Sequence, residues 1–197
     1  KAFVSISWSF LFKTLESFNF GTNLRKWIKI LYQNPLSCVT NNGHSSSFFE
    51  TERGIRQGCP LSALLFILVV ETLAIKIRCS PAIAGIPLQS STAKISQLAD
   101  DTTLFVSDTT SLKNCLDIID KFYICTGLKL NRNKTEVLWV GKEKENKNKP
   151  FGLNWTKGPV KNLGIWFSAE MNNVLRLNVE ERINKLKTLL QSWIPRN

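Results

Sequence analysis

Asp100 and Asp101 are adjacent carboxylates set between two short apolar runs, residues 95–99 and 102–106. Each run has the length and residue types of a strand, so the acids are predicted at a hairpin tip. Neighbouring carboxylates repel, and a bridging cation relieves the repulsion. Mg²⁺ takes hard oxygen ligands, often one or two carboxylates together with substrate phosphates. That makes Asp100 and Asp101 candidate metal ligands. An ordinary solvated turn is the competing reading, because Asp is a common turn former.

Three further segments could carry chemistry. Residues 53–62 read Arg-Gly-Ile-Arg-Gln-Gly-Cys-Pro-Leu-Ser. Gly54 and Gly58 permit close backbone approach to a ligand. Arg53 and Arg56 can meet phosphate, and Gln57 can donate to or accept from a base or sugar edge. The plainer alternative is a glycine-rich loop before a helix, with its arginines in solvent. Residues 127–136 form a helix end, a polar turn and a strand start, carrying Lys129 and Lys134. A C-capping glycine and exposed lysines would explain them equally well. Residues 160–165 read as a strand with one small residue, Gly164.

The elements that must position these residues follow from apolar spacing. Trp8, Leu11, Phe12, Leu15 and Phe18 recur at helical intervals, and Gly21 is expected to end that helix. Leu24, Trp27, Ile28 and Leu31 mark a second helix, stopped before Pro35. Residues 38–40 and 48–49 flank Asn41-Asn42-Gly43, which reads as a hairpin. Pro60 suits the first turn of a helix running to about Lys76. That helix is apolar nearly all round, so it is expected to be buried. Leu112, Cys115, Leu116, Ile119, Phe122 and Tyr123 form an amphipathic helix closing at Gly127. Residues 137–140 and 163–167 read as strands, and 142–149 as a charged, solvated loop. Val179, Ile183, Leu186, Leu190 and Trp193 define a last helix. Helices and strands mix without strict alternation, which predicts an α+β fold with an antiparallel sheet.

Composition bounds the function. The 197 residues suffice for a domain with a real core. Lys and Arg number 26 against 15 Asp and Glu, a net charge of +11 that suits a polyanionic partner, nucleic acid before membrane. The five cysteines are scattered without a paired CxxC, which argues against zinc and for free thiols in a reducing compartment. The longest greasy run, 61–70, is interrupted by Ser62 and followed by Glu71, so no membrane span is expected. No signal peptide is legible, and the expected location is intracellular, cytoplasmic and nuclear. The first and last residues look like cuts within something longer.

Taken in this order and spacing, the segments resemble the reverse transcriptase of non-long-terminal-repeat retrotransposons, the LINE type. The resemblance covers nearly the whole chain. Lys1-Ala2-Phe3 resembles the tail of the family's first catalytic motif, Asp-x-Glu-Lys-Ala-Phe-Asp. Residues 53–66 resemble the template and nucleotide loop with its helix, and Ala99-Asp100-Asp101 the catalytic Ala-Asp-Asp. Residues 127–136 resemble the lysine-bearing motif that follows, Leu163-Gly164-Ile165 the primer grip, and 179–197 the start of the thumb. Three departures stand out. The first catalytic aspartate would precede Lys1, Val4 replaces the second Asp of that motif, and Leu98 replaces the usual Tyr or Phe before Ala-Asp-Asp. The two substitutions suggest a decayed or tolerant copy.

The resemblance implies a right-hand polymerase palm with an antiparallel sheet packed on helices, part of the fingers and the start of a helical thumb. Residues 1–160 would be palm with partial fingers, and 161–197 primer grip and thumb. The implied activity is RNA-directed DNA polymerisation, with nucleotidyl transfer to a primer 3′-hydroxyl by two Mg²⁺ ions, Mn²⁺ being a possible substitute. Asp100 and Asp101 would hold metal. Phe3 would lie under the incoming sugar and exclude a ribose 2′-hydroxyl. Gln57 and Gly58 would shape the nucleotide pocket, with Arg53 and Arg56 beside them. Lys134 would neutralise or protonate pyrophosphate, although Lys129 is close by. Leu163 and Gly164 would grip the primer. Partners would be an RNA template, a DNA primer and deoxynucleoside triphosphates, within a larger polyprotein. Without the first aspartate, this segment alone is expected to be inactive. Two rival classes are a non-catalytic nucleic-acid-binding remnant and a metal-dependent nuclease. The nuclease would need further acids or histidines, and the one histidine, His44, falls in a hairpin turn.

The charge makes a first prediction. Affinity for a primer–template duplex should fall steeply, along a straight line in log–log coordinates, as salt rises from about 50 to about 200 mM. Fluorescence anisotropy measures it, and a flat response would overturn the electrostatic account.

Overall fold

The computed structural model describes residues 2–193. Lys1, in the first resembling motif, and residues 194–197, in the expected thumb, lie outside the described residues. Two compact units divide at Leu130 and Asn131.

The first unit begins with a short helical turn, Phe3–Ser5. Helix α1, Trp8–Ser17, is capped by the Ser7 hydroxyl, which accepts from the Phe10 N–H. It stops earlier than expected, where Asn19 takes a left-handed φ of 57°. Gly21 instead precedes α2, Thr22–Leu31, as its N-cap. The reason is that Asn also tolerates the left-handed region and reaches it first. Strands β1, Leu36–Ser37, and β4, Phe49–Glu50, pair outside the tighter ladder of β2, Thr40–Asn41, and β3, His44–Ser45. Asn42 and Gly43, both at positive φ, close this hairpin where the sequence signal put it.

Helix α3, Pro60–Arg78, is the spine of the unit. Ser62, Leu65, Phe66, Val69, Val70, Leu73, Ala74 and Ile77 are buried along one stripe. Fully burying a Leu, Ile, Val or Phe contributes about 1.5–3 kcal/mol each. The expected all-round burial is corrected: Leu64 is 61% and Ile67 51% exposed. Neighbouring elements cover only one side, where α1, α4 and β7 make contact. By length and composition α3 could also cross a membrane, its apolar stretch continuing past Glu71. Its inner face packs as the core helix of this unit.

The chain continues through β5, Ile86–Pro87, and β6, Thr92–Ala93, into β7, Ile95–Leu98, and β8, Asp101–Leu104. Helix α4, Thr109–Thr126, follows, capped by the Asp108 carboxylate on Ser111 N–H and closed by Gly127 at φ 81°. Two apolar clusters share α3. Its first half packs with Ile6, Leu11, Leu15, Ile28, Tyr32 and Ile55. Its second half packs with Ile83, Cys115 and Ile119, against Ile95 and Leu104 of the β7–β8 hairpin.

In the second unit, β9, Glu136–Leu138, pairs in parallel with β10, Asn154–Thr156. Trp139 stacks on Trp155 at 4.6 Å beside this ladder. Strands β11, Val160–Asn162, and β12, Ile165–Phe167, form a hairpin. The single strand expected over 163–167 is corrected, because Leu163 and Gly164 take φ of 48° and 80° and turn the chain back. Helices α5, Met171–Leu175, and α6, Glu181–Trp193, flank a wider π-turn, Arg176–Glu180. That turn carries Asn178, whose amide bonds both backbone groups of Trp166. The α+β class holds. The one antiparallel sheet does not form among the described residues: the strands make six two-stranded ladders, five antiparallel and one parallel.

All five cysteines are free. Burial among apolar side chains pushes the Cys115 thiol up to about 11. An unfolded cysteine loses its proton near 8.5. Above that pH the unfolded chain binds fewer protons than the folded one, so stability falls as pH rises towards about 11. Urea midpoints followed across this window should decline more steeply for the parent than for Cys115→Ala; parallel declines would refute the assignment.

Candidate active site

The Asp100 carboxylate is carried by a two-residue turn. Leu98 pairs with Asp101 at the last rung of the β7–β8 ladder, leaving Ala99 and Asp100 at the tip. Ala99 sits at φ 51°, a left-handed conformation that an L-residue with a Cβ resists. Asp100 and Asp101 are both exposed, and neither joins an ion pair among the described residues. Lys94, at the open end of the hairpin, donates to the Ser80 and Arg78 carbonyls beyond and at the end of α3. The hairpin is thus tied at its base and free at its acidic tip. Leu98 is 62% exposed, so it does not fill core space. It lies open beside the acidic turn.

The loop 53–58 meets the N-terminal turn through its backbone. Gly54 N–H donates to Ile6 O and Ile55 N–H to Phe3 O, both at 2.8 Å. Trp8 Nε1 donates to Gly54 O at 2.6 Å. Gly54 and Ile55 are therefore buried, whereas Arg53, Arg56, Gln57 and Gly58 are exposed around them. A Cβ on Gly54 would stand 2.8 Å from Val4 Cα, so only glycine allows this approach. Phe3 stacks on Phe66 of α3, rings parallel and 4.6 Å apart. Behind the turn, Ser7 N–H donates to Thr126 O, and a Cβ on Gly127 would reach within 2.3 Å of Ser5 O. Phe3, the 53–58 loop and Gly127 are thus brought together.

Cys59 caps α3. Its thiol is held below the usual range by the Leu61 and Ser62 N–H groups, with Arg56 adding positive charge. Burial pushes the Tyr32 phenol up, and its neighbours include Ser62, Cys59 and Arg56. Trp8, which apolar spacing marks as a helix-face residue, also anchors the loop through its indole N–H, and Tyr32, just past α2, packs against Trp8. The one available signal for Trp8 was a polar edge on an otherwise apolar helix face.

Lys134, Leu163 and Gly164 belong to the second unit. Lys134 is exposed in the turn Arg132–Lys134, its backbone N–H donating to Asn131 Oδ1 at 3.3 Å. Leu163 and Gly164 form an exposed turn, with Gly164 O accepting from Arg182 Nη2. Lys129, in the first unit, lies 6.0 Å from the Tyr123 ring.

The donor set suits a hard divalent cation in part. Asp100 and Asp101 offer carboxylate oxygens of the kind Mg²⁺ prefers. No cluster of three or more His, Cys, Asp or Glu that could hold a metal exists among the described residues. The pair fits one hydrated cation that takes its remaining ligands from water and phosphate.

Residues 1–167 match the family model described as reverse transcriptase (RNA-dependent DNA polymerase). The chain is 27% identical over 174 residues to the transposon TX1 uncharacterized 149 kDa protein of Xenopus laevis, covering 86% of this chain and 13% of that protein. It is 31% identical over 134 residues to the retrovirus-related Pol polyprotein from type-2 retrotransposable element R2DM of Drosophila melanogaster, covering 68% of this chain and 12% of that one. The chain thus spans about an eighth of the length of the curated relatives it matches.

The backbone clamp is directly testable. Gly58 is at φ 82° with open space around its missing Cβ, so Gly58→Ala should cost only left-handed strain, about 1–2 kcal/mol. Gly54→Ala adds a collision with the Val4 backbone, and its loss should be clearly larger. Urea unfolding ranks the two, and equal losses would refute the close approach.

Proposed function

This chain belongs to the reverse transcriptase (RNA-dependent DNA polymerase) family, and we propose that it is the palm, with part of the fingers and the start of the thumb, of a LINE-type retrotransposon polymerase. Residues 1–160 serve as palm and partial fingers, and 161–197 as primer grip and thumb. It works inside the cell, in cytoplasm and nucleus, within a larger polyprotein. Its partners are an RNA template, a DNA primer and deoxynucleoside triphosphates.

One observation carries the reading. A single helix, α3, buries its first half against the Phe3 segment and the 53–58 loop, and its second half against the base of the Asp100–Asp101 hairpin. Three sequence-distant segments therefore share one rigid support, which is what positioning a nucleotide against metal ligands requires.

Asp100 and Asp101 would hold Mg²⁺, which when bound would favour the primer 3′-hydroxyl as nucleophile and offset triphosphate charge. Arg53 and Arg56 meet phosphate as charged donors. Gln57 and Gly58 shape the nucleotide pocket from a loop whose backbone is fixed at Gly54 and Ile55. Phe3 is held flat by Phe66 and forms a wall against the sugar. By the family resemblance, Lys134 would meet the leaving pyrophosphate, and Leu163 and Gly164 the primer. A second metal needs a further carboxylate, and these residues supply no third member.

The test is template-directed incorporation on an RNA template with a DNA primer, in Mg²⁺ and in Mn²⁺. The 197-residue polypeptide alone should bind duplex without extending it. A longer polypeptide carrying an aspartate ahead of Lys1 should extend, and Asp100→Asn should lower its rate at least about a hundredfold. Tyr at Leu98 and Asp at Val4 should raise that rate. Extension by the short polypeptide would overturn its inactivity. Binding without extension by the longer one would favour the non-catalytic remnant.

A further inference from the structure

The cleft between α1 and α2 is lined by no residue of the Asp100 hairpin or of the 53–58 loop. It encloses about 320 Å³. Lys13 and Glu16 of α1, and Arg25, Lys26 and Lys29 of α2, line it around the Phe12 ring. Four cations there meet one carboxylate. Glu16 Oε1 accepts from Arg25 Nη1 at 2.7 Å, which fixes the guanidinium. Arg25 Nε is nevertheless buried and lacks a hydrogen-bond partner. A buried donor without a partner is unfavourable, so this guanidinium is not fully satisfied by Glu16 alone. Lys13, Lys26 and Lys29 form no ion pair among the described residues. On α2, Arg25 and Lys29 are four residues apart and share a face, with Lys26 beside them.

We propose that this cleft is a second phosphate site, one that holds the backbone of a nucleic-acid strand away from the reacting groups. Ammonium groups drawn from two helices, in an open cleft, suit successive phosphates and carry no sequence preference. The fixed guanidinium orients one phosphate, and the lysines neutralise its neighbours. The inference rests on the polymerase reading only for the identity of the strand.

The experiment uses the full 197-residue chain and a fluorescein-labelled RNA–DNA primer–template, with anisotropy read from about 50 to about 200 mM salt. Lys26→Gln with Lys29→Gln should reduce the slope of log affinity against log salt by about two. Lys113→Gln with Lys121→Gln removes the same charge from exposed positions on α4 and should change the slope much less. Arg25→Lys keeps the charge but deletes Nε, and should weaken binding while thermal unfolding confirms an intact fold. Tripolyphosphate is the small-anion probe. Equal slopes for the two double variants, with tight binding by the parent, would overturn the cleft and leave the polymerase reading standing. Tripolyphosphate binding that is lost in the cleft variant while duplex affinity stays unchanged would make this a small-anion site and overturn the backbone assignment. A parent that fails to bind the duplex at all would sink both readings.

Discussion

Two backbone hydrogen bonds, from Gly54 to Ile6 and from Ile55 to Phe3, are the constraint on which the first unit's candidate site depends. Each is a short amide–carbonyl contact shielded by its neighbours, and shielding raises the cost of losing it. They convert an arginine- and glycine-rich loop from a solvated connection into a fixed edge. The side chains that must stay accessible, Arg53, Arg56 and Gln57, stand around that edge rather than within it. On the other side of the same turn, Gly127 presses on Ser5, so the segment is held from two directions.

The clamp works because α3 lies beneath it. The helix buries a stripe at positions spaced three and four residues apart, and two apolar clusters meet along it. Interiors packed this densely transmit small displacements instead of absorbing them. A shift at Phe66 would be felt by Phe3 through their stacked rings. The acidic turn is treated differently. Its base is packed and tied through Lys94, while its tip is exposed and carries a left-handed alanine. Strain of this kind persists where surrounding structure over-determines the backbone, commonly at functional sites.

The second unit is held by other means. Its indoles do several jobs: Trp139 and Trp155 stack, their N–H groups donate to Asn148 and Pro150, and the Trp166 backbone is bracketed by Asn178. Aromatic edges and side-chain amides substitute here for the deep aliphatic core of the first unit. The five lysines at positions 142, 144, 147, 149 and 157 are exposed outside this framework, where solvent screens their mutual repulsion, while Lys161 of β11 lies 5.4 Å over the Trp166 ring.

Much of this was legible in the sequence because it depends on local chemistry. Asn42-Gly43 must turn, Pro60 can start a helix, Gly127 can end one, and Asp100 belongs at a tip, with Asp101 one residue further on the first rung of β8. The order of the motifs likewise announced the polymerase family. What the sequence left open are matters of partnership. Apolar residues all round α3 do not reveal that one side goes uncovered, since exposure depends on which elements pack there. Leu163-Gly164 reads as strand until its positive φ values show a turn. Trp8 looks like helix core until the loop folds against it. Gly54 looks permissive, yet it is obligatory, because the atoms that would meet its Cβ lie fifty residues away in the chain. Local propensity acts over a few residues, whereas contacts between distant segments exist only once the tertiary structure has formed.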